Sequence, residues 1–387
     1  MKEGWTYKKI KEVGEVIGGT TPSTSNPAFW GGDLCWISPA ELRGEHYLYD
    51  SVKKITKEAV VAKSLKQLPV GTVILSSRAP IGKIAINRVP MYCNQGFKCV
   101  VCGPELNNEY LYWWFYGKKD YLNSLGTGAT FPEISKTVVE NIIVPVPPLS
   151  EQRKIVERLD AAFANIDALK ANAEKQLAEA RKLFQAELTE CMRPKEGWEE
   201  KKMSDLYDVR DGTHDSPKYH ETGYPLVTSK NLRGGILDMS NVSLISEEDY
   251  KAINNRSKVN IGDVLFAMIG TIGNPVYVQV EPNYAIKNMA LFKVPSNQSG
   301  EFLRYYLLNE NVLSKMQTES KGTTQKFVSL GYLRNFLMAI PSLTEQKEIV
   351  VRLDSFSAHV RQLEEVQRKT LAECDALKQA MLREVFE

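Results

Sequence analysis

The chain has 387 residues, 43% of them hydrophobic and 25% charged, with a formal net charge of +2. That is ordinary globular usage with enough length for two cores, and it excludes a single small domain. No apolar run approaches the roughly 18 residues that a membrane helix needs, and Met1 to Trp5 lack the apolar stretch of a secretory signal; a cytoplasmic protein with no membrane partner is expected.

Along the chain, the opening Lys2-Glu3-Gly4-Trp5 recurs as Lys195-Glu196-Gly197-Trp198. Gly19-Thr20 recurs as Gly212-Thr213, Leu42-Arg43-Gly44 as Leu232-Arg233-Gly234, Val70 to Ile74 as Ile261 to Leu265, and Ile81-Gly82 as Ile272-Gly273. Glu109-Tyr110-Leu111 answers Glu301-Phe302-Leu303, and Pro147-Pro148-Leu149-Ser150-Glu151-Gln152 answers Pro341-Ser342-Leu343-Thr344-Glu345-Gln346. Offsets that drift by only a few residues over so many segments identify a tandem duplication.

Within the first copy, Thr72 to Leu75, Lys83 to Ile86 and Phe97 to Val101 have the composition of strands broken by Gly, Pro and Asn. The six cysteines are too sparse for a disulfide framework. Cys99 and Cys102 lie in an apolar run with no second ligand pair, so they are expected in a buried strand rather than at a metal. Tyr110 to Tyr116 has helical spacing, which assigns its aromatics to the core rather than to base stacking.

Ser150-Glu151-Gln152 and Thr344-Glu345-Gln346 mark two helix starts. Seam positions alternate by four and three along Ile155, Leu159, Ala162, Ile166, Leu169, Ala173, Gln176, Ala180 and Leu183. In the second copy they run through Ile349, Leu353, Phe356, Val360, Leu363, Gln367, Thr370, Cys374, Leu377 and Met381. This is coiled-coil spacing, and helices of about 40 residues need a partner. Antiparallel pairing about a pseudo-twofold axis would bring Gln176 together with Gln367 and Thr370 as a polar layer. The fold class is therefore expected to be α+β: two similar globular domains of mixed or antiparallel sheet with helices, 1–149 and 194–342, separated by two long antiparallel coiled-coil helices, 150–193 and 343–387. By segment the net charge is +4 for 1–149, 0 for 150–193, 0 for 194–342 and −2 for 343–387.

Two variable domains alternating with two similar helices, each introduced by P-x-L-[ST]-E-Q-x-x-I-V, resemble the specificity (S) subunit of Type I restriction-modification systems. The resemblance covers essentially the whole chain. It implies a sequence-specific DNA-recognition subunit with no catalytic residues of its own. One target-recognition domain would read each half of an interrupted double-stranded site, and the helices would set the spacer and dock two methyltransferase (M) subunits, to which restriction (R) subunits add. A standalone enzyme is disfavoured. The four histidines are scattered, there is no phosphate-cradling Gly-Lys-Ser/Thr loop, and Gly126-Thr127-Gly128 opens no dinucleotide fingerprint. No cofactor and no metal are expected. The rival is a coiled-coil adaptor that binds only protein.

Where the copies agree they build a scaffold, and where they differ inside an agreed frame they are placed to read different bases. Ser76, Ser77 and Arg78 occupy a loop tip whose counterpart carries Met268; an arginine forks onto guanine O6 and N7, and a methionine meets a thymine methyl. The hydroxyl-rich loops with Thr20, Thr21 and Ser23, and with Thr213, His214 and Lys218, resemble loops at the DNA face of the family. Asn94, Gln95 and Asn288 supply amides suited to adenine, next to Lys287. Lys230 and Asn231 precede the second Leu-Arg-Gly. Lys321, Thr323, Gln325 and Lys326 resemble phosphate contacts, while the first-copy run Thr127 to Thr130 has no lysine.

Overall fold

The computed structural model describes residues 4–128, 132–319 and 327–387. Four helices organise it: α1 (Asn108–Gly117), α2 (Leu149–Cys191), α3 (Gly300–Leu308) and α4 (Leu343–Phe386). The chain divides into two compact units, the first made of Met1–Ala173 with Lys369–Glu387 and the second of Glu174–Arg368. Among the described residues, no helix is long and apolar enough to cross a membrane.

In unit 1 a five-stranded sheet runs in the order Gly14–Gly18, Lys98–Cys102, Val73–Leu75, Ile84–Asn87, Tyr47–Leu48. Its pairings are antiparallel except the last, which is parallel. A three-stranded sheet joins Lys53–Ile55, Trp30–Ile37 and Tyr92–Cys93, again with one parallel pair. Val16, Val73, Leu75, Ile84, Ile86 and Val100 bury against α1, whose residues from Tyr110 to Phe115 are all buried. The aromatic run is thus core, as its helical spacing implies. Cys99 lies fully buried in its strand, 3.7 Å sulfur to sulfur from Cys93, and burial pushes its thiol well above the ordinary cysteine range.

Unit 2 repeats this plan. Asp208–Asp211, Met289–Lys293, Val264–Ala267 and Gly273–Tyr277 form an antiparallel sheet, and Ser243–Ile245, Tyr224–Thr228 and Ala285–Lys287 form the smaller mixed one. Helix α3 packs its buried Phe302, Leu303, Tyr305 and Tyr306 where α1 packs in unit 1.

The duplicated signature is a latch between each domain and its helix. Gln152 is fully buried. Its Oε1 accepts from Asn107 N at 2.7 Å, and its Nε2 donates to Glu105 O at 2.9 Å and Pro147 O at 2.8 Å. Gln346, equally buried, accepts from Ser299 N at 2.9 Å and donates to Gln298 Oε1 at 2.9 Å and Pro341 O at 3.0 Å. Trp5 donates to Glu151 at 2.9 Å, and Trp198 to Glu345 at 3.0 Å. Trp113 reaches Asp160 and Tyr305 reaches Asp354, so the repeated acid after Arg-Leu is also explained. The helices start one residue earlier than the hydroxyl pattern implies. Ser342 caps the second, accepting from Glu345 N at 3.3 Å, and Pro148 stands at that place in the first.

Each unit pairs a segment of α2 with a segment of α4, antiparallel. In unit 1, Arg158 bonds Glu384 at 2.8 Å, Lys378 bonds Asp167, and Lys170 bonds Asp375 at 2.6 Å. In unit 2, Gln367 donates to Gln176 at 2.7 Å, Arg181 meets Glu364 at 3.0 Å and Arg352 meets Glu187. Of the expected polar layer, the Gln176–Gln367 contact forms. Half of the expected α2 seam does not. Leu159, Ile166, Ala173 and Ala180 are buried, but Val156 and Phe163 are buried in preference to Ile155 and Ala162, and Leu169 and Leu183 are exposed. Positions three and four after a seam residue flank it equally, and the larger Phe163 and Phe184 turn inward because they bury more apolar area. The same register exposes Leu363 and Leu377 on α4 and brings Glu364 and Lys378 inward, with Lys378 Nζ lying 4.9 Å from the Phe163 ring centroid.

Candidate functional site

Sheet topology gathers the candidate loops. In unit 1 the strand Gly14–Gly18 ends, its antiparallel neighbour Lys98–Cys102 begins, and Val73–Leu75 ends, all on one edge. The loops after Gly18, before Lys98 and after Leu75 therefore share one end of the sheet. The same three strand ends in unit 2 gather the loops after Asp211, before Met289 and after Ala267.

In unit 1 the Asn94 side chain donates to the Thr21 hydroxyl at 2.8 Å and accepts from Gly96 N at 2.6 Å, and the Thr21 hydroxyl donates to Gln95 Oε1. Arg78 joins this group. A Cβ placed on Gly96 would stand 3.2 Å from Arg78 Nε and 3.0 Å from Asn94 Oδ1. Thr20 is exposed, with its backbone bonded to Cys93 O at 2.9 Å, while Ser23 lies further out against Ser25 at 2.8 Å. Gly19 permits the approach of these loops, because a Cβ there would fall 1.9 Å from Asn94 O; at Gly212 it would fall 2.4 Å from Ile286 O. The repeated Gly-Thr is a close backbone crossing in both copies.

Ser76 and Ser77 do not reach outward. Both are fully buried; Ser76 Oγ donates to Pro80 O at 2.7 Å and accepts from Lys83 N at 2.8 Å, and Ser77 Oγ accepts from Lys98 Nζ at 3.1 Å. Lys98 went unmarked in the sequence, yet it is a cation only 8% exposed beneath the loops, also bonded to Gln95 O at 3.2 Å and Glu133 Oε1 at 3.1 Å. Glu133 in turn lies 3.5 Å from Arg78 Nη1. A lone lysine beside a loop in an apolar strand was the available signal.

Unit 2 places His214 between two acceptors, with Nδ1 2.9 Å from Asn288 Oδ1 and Nε2 2.8 Å from Asp211 Oδ2. Those hydrogen bonds raise the imidazole above its ordinary value, Asn288 contributing most and Asp211 next. Burial pushes the Asp211 carboxyl up, but its bonds to Arg256 and His214 outweigh this and leave it below the usual carboxylate range. Asn288 adopts a left-handed backbone, φ 54°, and its carbonyl accepts from Ser229 Oγ at 2.9 Å. Thr213 Oγ1 accepts from Asp215 N at 3.1 Å; Lys218 and Lys230 are exposed.

Three expected contacts of unit 2 belong to the interior. Met268 lies in the core rather than at an exposed tip, in the same buried cluster as Val328, whose N bonds the Met268 carbonyl. Asn231 is buried, holding Thr228 N with its Oδ1 and donating to Asp238 O and Asn241 O. Lys287 is 8% exposed, with Nζ 2.7 Å from Ser216 Oγ. Lys321, Thr323, Gln325 and Lys326 lie outside the described residues, as does Thr130. Among the described residues, no group of three or more His, Cys, Asp or Glu is placed to hold a metal ion.

The family described as Type I restriction modification DNA specificity domain matches residues 2–179 and again residues 195–373. The chain is similar to the Type I restriction enzyme MjaIX specificity subunit of Methanocaldococcus jannaschii, 30% identical over 373 residues that span 88% of this chain and 84% of the relative. The Type I restriction enzyme EcoKI specificity subunit of Escherichia coli is 24% identical over 422 residues, spanning 100% of this chain and 89% of the relative. Among solved structures, a chain from work on complex assembly and conformational transition of the type I R-M system shares the fold at TM-score 0.80 and 22% identity, covering 100% of this chain and 98% of that one. The HsdS subunit from Thermoanaerobacter tengcongensis does so at TM-score 0.62 and 20% identity, covering 100% and 97%.

Proposed function

Because the chain belongs to the Type I restriction-modification DNA specificity family, we propose that it reads an interrupted duplex site one half per unit. Residues 1–149 and 194–342 act as target-recognition domains. The helical segments 150–193 and 343–387 set the spacer and dock two methyltransferase subunits, through which restriction subunits join in the cytoplasm. One observation carries this reading: the same three-loop end recurs in both units on a shared frame, with different side chains on it. Thr20, Thr21, Arg78, Asn94 and Gln95 form the contact set of unit 1, and Thr213, His214, Lys218, Lys230 and Asn288 that of unit 2. Ser76, Ser77, Asn231, Met268 and Lys287 support them from within.

The spacer role is tested by adding one heptad to each long helix, after Ala173 and after Gln367. Seven residues lengthen a helix by about 10 Å, or about three base pairs of duplex. Mapping methylated adenines should return the same two half-sites with a spacer longer by that amount. An unchanged spacer would remove the helices from that role.

Unit 2 should also bind in a pH-dependent way. The raised imidazole of His214, facing Asp211, Asn288 and Arg256, carries its positive charge fully below its ordinary value of 6.5 and loses it as pH rises through the higher folded value. Affinity for the second half-site, and the His214 contribution to the stability of unit 2, should therefore fall as pH rises above about 6.5. His214→Asn should flatten the binding profile measured by fluorescence anisotropy on a labelled duplex; an unaltered slope would take the histidine out of the interface.

A further inference from the structure

The two units carry opposite chemistry at equivalent points. In unit 1, Ser76 bridges Phe97 and Ile134 N donates to Ser77 O at 2.9 Å; in unit 2, Ala267 pairs with Met289 and Val328 N donates to Met268 O at 2.9 Å. Those bonds match Ser77 with Met268, Arg78 with Ile269, and Glu133 with Phe327. The ladders match Lys98 with Ala290 independently, since Gly18 faces Lys98 and Asp211 faces Ala290. In unit 1 the four side chains are polar and bonded to one another, through Lys98 to Ser77 and Glu133 and through Glu133 to Arg78. All four are apolar in unit 2, where Ile269 and Phe327 form a bridge and Phe327 remains 38% exposed.

We propose that Arg78 with Glu133, and Ile269 with Phe327, are the matched specificity-determining positions of the two units: the first pair reads a guanine and the second a thymine methyl. This rests on the reading of the chain as a DNA-recognition subunit. Lys98 is nearly buried and needs a countercharge, which keeps the Glu133 carboxylate in place. Glu133 is thereby a positioning residue that orients the guanidinium before DNA arrives, so less freedom is lost on forming the fork to O6 and N7. In unit 2 the matched Ala290, Ile269 and Phe327 carry no side-chain hydrogen-bonding group. An exposed phenyl ring beside an isoleucine instead suits the one apolar group in the major groove, the C5-methyl of thymine.

The test uses the full chain assembled with its methyltransferase subunit on randomised duplexes. Wild type should select two half-sites; selection of no sequence would sink both this inference and the function it rests on. Given that selection, Arg78→Lys should cut discrimination for guanine at one position of one half-site by about tenfold or more, leaving the other half-site unchanged. Glu133→Gln should relax the same base pair without altering the salt slope of binding. In the other half-site, replacing one thymine by deoxyuracil removes only the methyl group and should weaken wild-type binding about fourfold. That penalty should vanish in Ile269→Ala/Phe327→Ala. Deoxyuracil tolerated at every thymine of that half-site, or base preferences unmoved by Arg78→Lys, would overturn the assignment while leaving bipartite recognition intact.

Discussion

Gly19→Ala is expected to destabilise unit 1 by about 3 kcal/mol or more and to abolish recognition of the first half-site. The added Cβ would lie 1.9 Å from Asn94 O, 2.5 Å from Asn94 C and 2.5 Å from Cys93 O, all of them backbone atoms. No side chain can swing aside, so the turn that carries Asn94 and Gln95 must move, and with it the bond to Thr21. Gly18→Ala is the control, because nothing stands within 4 Å of a Cβ at that position. Chemical unfolding and methylation mapping on both variants decide the matter. Equal behaviour of the two would show that the close crossing is not what holds the loops together. Gly212→Ala should do the same to unit 2, where the nearest atom is Ile286 O at 2.4 Å.

Gln152→Leu should cost unit 1 about 3–5 kcal/mol, because three groups lose their partner at roughly 1–3 kcal/mol each and Asn107 N and Glu105 O, being only part-buried, fall at the low end. Asn107 N, Glu105 O and Pro147 O all depend on this one fully buried amide. Leucine matches its size closely enough that the loss is of hydrogen bonds rather than of packing. Gln152→Glu keeps the shape and separates the two contributions, since it replaces the amide donors by oxygen facing two carbonyls; it should be at least as damaging at neutral pH. A shift of less than about 1 kcal/mol in either variant, read from denaturant midpoints, would mean that the latch is incidental to stability.

Much of this architecture was legible because the duplication preserves backbone demands. Trp5, Glu151 and Gln152 recur as Trp198, Glu345 and Gln346, and each set closes one domain onto the start of its helix. The sides of the helix seam were less legible. Ala162 and Phe163 flank the seam symmetrically in sequence, and only the competition for buried area chooses between them. In the site, the loops were legible because they follow strand ends, but the direction of a hydroxyl was not: Ser76 and Ser77 bond back into the fold through groups that lie distant in sequence or on the other side of a turn. Lys98 and Asp211 escaped notice for a related reason. Lys98 is one charge at the start of an otherwise apolar strand, Asp211 ends a strand that already carries Asp208 and Arg210, and only the folded loops reveal that each anchors the charges above it.

The core of unit 1 includes Leu382 and Val385, which pack with Leu111, Trp114 and their neighbours. Residues 174–368, the whole of unit 2, are synthesised before that segment appears. The first unit thus leaves the ribosome with an open flank that stays open through translation of the second, and it closes only when the distal helical turns emerge. A nascent chain halted at residue 368 would hold all of unit 2 and still lack the last segment of unit 1, so the earliest-made domain is the last to be finished.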